Sequence, residues 1–363
     1  MHYVLRAHPD GEGAWRYEAP PLVADELRRL VKQRWTPAFA DAISRDLARR
    51  HLPLLVDTGG QPSAETQQIL SHCTNAILLS HTPALLEPWR AMVDHQAIPL
   101  LADLHSIRGG EPTLDDGGTT LRGSIRGLGP DETPVSPCLD PLIERLDALC
   151  RFDRAVLRRR HAALTELELI DLEGLIGHLP AHSMPERPWT PDEIPTLLGE
   201  LDPGRPLAVY GIGPTWLYGA LAVYTAPAPI ELFQVALGWV APPPLVLGGQ
   251  PDPARLQVQR YTSAAAITRL QFTIPSGYLD YEACQAHPLS APAPERDRAV
   301  ILDGKLPLWL YAALSRAYND ALWLAIREPR SEAARAVVIA SRDSDHPVGA
   351  LVALPEDTLA KLT

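Results

Sequence analysis

No stretch of this 363-residue chain approaches the run of about eighteen apolar residues that a membrane-crossing helix needs. The start, Met1-His2-Tyr3-Val4-Leu5-Arg6, carries no apolar signal run, so a cytoplasmic location is expected. Positive charge is also scarce. Lys and Arg total 33 against 44 Asp and Glu, a formal net charge of −11. That balance argues against sequence-independent binding to duplex DNA or to an anionic membrane, both of which want a basic face. A small nucleotide held in one local pocket stays compatible with it. Cysteine is sparse and scattered: Cys73, Cys138, Cys150 and Cys284 form no Cys-x-x-Cys and have no histidine at zinc spacing, so they read as reduced thiols. His178 and His182 are four apart, but Pro180 between them prevents the helix that would put both on one face. Also missing is any Gly-x-x-x-x-Gly-Lys-Ser/Thr, the loop whose backbone amides cradle a triphosphate.

What is present is ordinary globular material, 46% hydrophobic and 21% charged, long enough for two or three domains. One stretch occurs twice. Gly211-Ile212-Gly213-Pro214-Thr215-Trp216-Leu217-Tyr218-Gly219-Ala220-Leu221 returns 93 positions later as Gly304-Lys305-Leu306-Pro307-Leu308-Trp309-Leu310-Tyr311-Ala312-Ala313-Leu314, identical at seven of eleven positions. The spacing is that of a duplicated domain, too long for a solenoid repeat. Each copy follows an apolar run, Leu207 to Tyr210 and Ala299 to Leu302, that reads as a buried strand. Gly then opens a turn, Pro214 or Pro307 sits at the first helical position, and Trp-Leu-Tyr begins the helix. Strand, glycine corner and helix together aim free amide N–H groups and the positive helix end at one spot, which favours an anion such as phosphate. The candidate ligand-binding residues are therefore Gly211, Gly213, Pro214 and Trp216 in the first copy and Gly304, Lys305, Pro307 and Trp309 in the second. The plainer alternative is that Gly and Pro only shape the turns while both Trp side chains fill the core.

Val300-Ile301-Leu302-Asp303-Gly304-Lys305-Leu306-Pro307-Leu308-Trp309-Leu310, followed by Ala317-Tyr318, Glu328-Pro329-Arg330 and Ala336 to Ser341, resembles the manganese-dependent CRISPR-associated ring nucleases. The resemblance covers roughly the last 160 residues as two tandem units. It implies recognition of cyclic tetra-adenylate, a type III CRISPR second messenger, between two family units, and its linearisation by attack of a 2′-hydroxyl on the adjacent phosphate. The family's catalytic pattern, a His followed by Asp-Pro-Arg, falls here on Asp320, Glu328 and Arg330. Asp320 cannot replace an imidazole near neutral pH without a large pKa shift, but Asp320 and Glu328 together could hold a divalent metal such as Mn²⁺ through oxygen ligands. In the first copy the same positions fall on Ala226, Gln234 and Ala236, which offer no catalytic group. The alternative for Asp320, Glu328 and Arg330 is a solvated surface ion pair. His346, in a loop after the last strong strand, is a candidate substitute for the missing imidazole.

Residues 1–163 alternate strands and helices. Apolar runs at Leu52 to Val56, Ala76 to Leu79 and Ile98 to Ala102, with helical patterns between them, imply a covered parallel sheet. Fusion members of the ring-nuclease family resemble a P-loop kinase-like ATPase here, and Leu54-Leu55-Val56-Asp57-Thr58-Gly59-Gly60 has the look of a Walker B segment. Without the phosphate loop, ATP hydrolysis is not expected and Asp57 reads as a loop-capping acid. Residues 108–137 read as a mobile loop or lid, and Pro141 to Ala163 as one helix with Arg151, Arg154 and Arg158 on one face. The expected fold is thus α/β: an incomplete P-loop-like parallel-sheet domain (1–163), then two tandem ring-nuclease-like α/β domains (164–252 and 253–363) forming a pseudo-dimer. The leading function is binding of a cyclic oligoadenylate, with cleavage left open. A non-catalytic sensor or sponge acting through the first domain and a nucleotide kinase or ATPase are the alternatives. Oligomeric state stays open, a homo-oligomer included.

Overall fold

Local chemistry sets the first elements. Thr36 accepts the amide of Phe39 at 3.2 Å and Pro37 follows it, which starts α1 (Pro37–Arg49). Ser63 and Thr66 form a reciprocal capping box at the head of α2 (Ala64–Leu70). The computed structural model describes residues 3–7, 36–59, 62–115, 118–129, 132–176, 189–263, 266–328 and 335–354. The stretch Leu22 to Lys32, whose sequence pattern reads as a helix, lies outside them. Among the described residues the chain divides into two units, one holding those up to Leu157 and the other those from Arg158 onward.

In the first unit β1 (Tyr3–Arg6) and β2 (Leu54–Asp57) form a two-stranded parallel sheet. A second sheet has the order β3-β4-β6-β5, from β3 (Ala76–Ser80), β4 (Leu100–Ile107), β5 (Leu114–Asp115) and β6 (Leu121–Arg126). Strands β3, β4 and β6 are parallel, and β5 turns back antiparallel. The anticipated continuous parallel sheet is therefore interrupted between β2 and β3. The stretch expected to be a lid holds β5 and β6 instead. Gly123 disguises β6 in the sequence; it is there because a Cβ would lie 2.1 Å from the carbonyl oxygen of Thr113. Helix α3 (Glu87–His95) buries Trp89 and Val93 against Leu70 and Leu78. The single helix expected from Pro141 is two, α4 (Leu139–Cys150) and α5 (Arg154–Ala162), and Arg151 falls in the break. Asp57 is exposed and accepts the amide of Gly59 at 3.2 Å, closing the turn after β2.

The second unit contains the duplication as backbone. The first copy orders its strands β7 (Glu168–Asp171), β8 (Leu207–Tyr210), β9 (Ile230–Gln234) and β10 (Gly238–Val240), with β7, β8 and β9 parallel and β10 antiparallel. Short α6 (Leu172–Ile176) and α7 (Ile194–Gly199) lie between β7 and β8, and α8 (Thr215–Tyr224) crosses from β8 to β9. After β11 (Leu245–Leu247), the second copy repeats the scheme with β12 (Gln257–Thr262), β13 (Ile267–Thr273), α9 (Tyr281–Ala286), β14 (Leu289–Ala291), β15 (Ala299–Gly304), α10 (Leu308–Ala317), β16 (Trp323–Glu328), β17 (Arg335–Ser341) and β18 (Leu351–Ala353). Its sheet runs β12-β13-β15-β16-β17-β18, and the four central strands carry the same parallel, parallel, antiparallel sequence of pairings. Parallel pairing of β11 with β14 links the copies. One apolar core spans them, with Trp216, Leu217 and Leu221 of α8 and Trp309, Leu310 and Leu314 of α10 all buried in it. Gly219 lets the helices approach, since a Cβ there would stand 2.9 Å from Ser315 Oγ and 2.5 Å from Ile326 Cδ1.

Candidate functional site: the two glycine corners

Both corners are built alike. Gly211 has φ +99° and Gly304 φ +135°, values that favour glycine, and a Cβ on Gly304 would lie 2.2 Å from the carbonyl oxygen of Phe272. Pro214 and Pro307 occupy the N-cap position in extended conformation (φ −69°, ψ 153° and φ −64°, ψ 150°), one residue earlier than expected. Neither cap is closed by a side chain. The tyrosine of each repeat reaches back seven residues to its corner: Tyr218 Oη donates to the Gly211 carbonyl at 2.6 Å, and Tyr311 Oη to the Gly304 carbonyl at 2.5 Å. Burial raises the pKa of the Tyr311 phenol far above its usual value, which keeps it a donor. This shared latch explains why Gly and Tyr recur at fixed spacing.

Trp216 and Trp309 are 1% and 2% exposed, so both indole bodies are core, as in the plainer reading. Trp309 packs edge-on against Tyr281, ring centroids 5.4 Å apart. Trp216 also makes a polar contact across the copies, its Nε1–H donating at 2.5 Å to Glu328 Oε2. Leu302 pairs with Ile326 in the parallel β15–β16 ladder, and Glu328 ends β16 at the level of Gly304. At the opposite end of α8, Arg316 in the last turn of α10 donates to the Ala222 and Ala228 carbonyls at 2.8 and 2.6 Å, satisfying carbonyls around the end of α8. With their last turns tied together and the first turn of α8 bonded beside Gly304, the two helices point the same way, and both corners open at one end of the unit.

The surroundings of the corners differ. Behind Gly304, Asp303 is 1% exposed and bonded to two arginines: Arg269 Nη2 at 2.7 Å and Arg327 Nη1 at 3.2 Å. Arg269 also lies over the ring of Tyr261, 5.1 Å from its centroid. Behind Gly211 the place of Asp303 is taken by Tyr210, whose hydroxyl meets His161 Nδ1 at 2.9 Å. His161 stacks on Phe233 at 4.3 Å, and Trp239 Nε1–H donates to the His161 carbonyl at 2.8 Å. Asp171 beside this corner is paired with Arg158 at 2.9 Å and accepts the amide of Glu173 at 3.1 Å. Burial, with Asp171 and Glu173 nearby, raises the Tyr210 phenol. The second corner thus carries Lys305 and two arginines against Asp303 and Glu328, whereas Asp171 and Glu173 outweigh Arg158 at the first.

The expected catalytic residues are not brought together. Asp320 precedes β16 and Glu328 ends it, and the strand between them spans about 17 Å. Asp320 lies 3.3 Å from Arg296, and its carbonyl is held by Arg342. One metal ion cannot be ligated by both carboxylates, so the residues present do not fit the expected Mn²⁺ site. No group of three or more His, Cys, Asp or Glu side chains placed to hold a metal occurs among the described residues. Arg330 lies outside them. His346 is fixed by Asp343 at 2.8 Å and stacks on Trp323 at 5.0 Å, at the Asp320 end of the sheet and away from the corners. Its bond holds the Asp343 carboxyl below the usual range.

Sequence reasoning missed the Asp303–Arg269–Arg327 cluster. Its signal was a charged residue interrupting each of three apolar strands. No helix among the described residues is long and apolar enough to cross a membrane. A comparison with curated proteins finds no match. Among protein-family models, Cas_csx3, described as a CRISPR-associated protein, matches residues 273–353, so the stretch from the end of β13 to β18 carries the signature of a CRISPR-associated family.

Proposed function

We propose that the two corners form one recognition site for a cyclic oligoadenylate, anchored mainly at the second corner. The observation that carries this is the Trp216–Glu328 bond, which sets the head of α8 beside the Gly304 corner. Open helix starts at both corners offer amide donors to phosphate, and Lys305 with the arginines behind Gly304 supplies the positive field an anion requires. The resemblance of the tandem motif to ring nucleases supports a cyclic tetra-adenylate as the ligand. If the ring is opened, its own 2′-hydroxyl is the nucleophile, and the protein contributes positioning and charge neutralisation from Lys305 and Arg330.

Binding without cleavage is the second reading. It is favoured by the commitment of Glu328 to Trp216 and by the placement of Asp320 at the far end of β16. Labelled cyclic tetra-adenylate, with and without Mn²⁺, separates the two. Linear product from the wild-type protein that disappears in Arg330→Ala, with binding retained, assigns cleavage. Binding that is lost in Lys305→Ala, with no product under either condition, assigns a sensor or sponge. Absence of binding by the folded protein removes both.

A further inference from the structure

The break in the sheet of the first unit is itself a built feature. All four residues of β2 and Ala76 to Leu78 of β3 line a cavity of about 820 Å³. Among the described residues β2 pairs only with β1, and β3 is hydrogen-bonded only to β4, so two strand edges border the cavity. Parallel strands are normally covered on both faces, yet Leu54, Leu55 and Val56 are only half-buried. Val4 and Ile77 on the cavity wall are 53% and 38% exposed. Helix α4, apolar along Leu142, Leu146 and Leu149, buries no residue fully and leaves Leu149 48% exposed against the same cavity. Backbone edges with apolar walls above and below are what an extended strand needs and what a compact ligand does not use.

One helix, α2, connects β2 to β3, the kind of crossover that joins parallel strands, and the residues just before both strands, 50–53 and 72–75, line the same cavity. Their starts also lie together: burial pushes the Cys73 thiol up, and Arg50, from the residue run just before β2, opposes it. The cavity therefore has a polar, partly basic end, with Arg50 and His72, and an acidic end at Asp57.

We infer that this slot binds an extended strand of about five apolar residues from a separate polypeptide, inserted parallel to β2 and β3, with acidic residues preceding it and basic residues following. Such a strand would complete one continuous sheet across the first unit. It satisfies both edges with main-chain bonds and meets apolar side chains on both of its faces.

The test uses the full chain and two synthetic peptides with the same Val-Ile-Val-Ile-Val centre. One carries two Glu before and two Lys after, and the other has the flanks exchanged. Amide hydrogen exchange at 54–57 and 76–80 slows with the first peptide, while exchange in β15 and β16 does not change. The exchanged-flank peptide binds about fivefold more weakly, as two exposed charge pairs dictate. Ile77→Asp, at a side chain already part-exposed, removes the response while β4 and β6 keep their protection. The inference is overturned if neither peptide slows exchange in protein whose β4 and β6 remain protected, or if both peptides act equally. Protection of β2 and β3 in the protein alone also overturns it: concentration-dependent protection assigns the slot to a second copy, and concentration-independent protection assigns it to this chain.

Discussion

The two copies in the second unit share a turn and differ in what stands behind it. Each has a glycine at positive φ, a proline N-cap and a tyrosine latched to the glycine carbonyl. Behind the second corner is a buried aspartate shared by two arginines; behind the first is a stack of His161, Tyr210, Phe233 and Trp239. The same backbone therefore holds an ionic centre in one copy and an aromatic one in the other. Shape is kept by main-chain hydrogen bonds and small residues, whereas the field at the corner depends on three strand side chains that can be exchanged without altering the turn.

The largest expected effect tests that contrast directly. Asp303→Leu strands two arginines in a mostly buried site and costs about 3–5 kcal/mol, whereas Tyr210→Phe loses one hydrogen bond and costs about 1 kcal/mol. Urea unfolding of the two variants measures the difference, and equal costs would end the distinction between ionic and aromatic support. Next is the contact between the helices. Gly219→Val forces a side chain onto Ile326 and Ser315 and costs about 1–3 kcal/mol, read as a lower unfolding midpoint for the whole second unit. Independent loss of one copy would show that they do not share a core.

An effect of similar size is expected at the bond across the copies. Glu328→Ala leaves the Trp216 N–H without this acceptor and costs about 1–3 kcal/mol, while Glu328→Gln keeps an acceptor and costs less. A thermal melt of the pair compares them. The smallest effect belongs to the shared latch: Tyr218→Phe and Tyr311→Phe each lose about 1 kcal/mol, because the same bond is removed from the same turn. Tyr311 adds a pH signature. Its folded pKa is raised by burial, so its contribution is complete below the unfolded value of about 10 and falls away as pH rises beyond it. Stability above that pH declines less steeply in Tyr311→Phe than in wild type, as an alkaline titration of unfolding shows.

The duplication was legible because it is local: eleven consecutive residues encode the corner, the helix start and the latch. So was the helix start at Thr36-Pro37, a residue pair that predicts an N-cap and a first turn, and so were the runs Leu256 to Gln259 and Leu270 to Ile274, which predict the antiparallel β12–β13 pair because the partners are close in sequence. Arg269, Asp303 and Arg327 were not legible as a group. They sit on three strands, and only the order β13-β15-β16 makes them neighbours. Strand length likewise undid the expectation for Asp320 and Glu328: eight positions look close in a sequence but span an entire strand. The break between β2 and β3 was hidden for a related reason, since an apolar run announces a strand without saying which neighbour it pairs with.

Helix α8 is held at both ends by the other copy, at Trp216 through Glu328 and near its close through Arg316. The separation of the corners is thereby preset, like the jaws of a locked calliper. Under the proposed function, a cyclic oligoadenylate bridging them has to match that gap, which would place discrimination among ring sizes in a fixed length of the scaffold instead of in the side chains it touches.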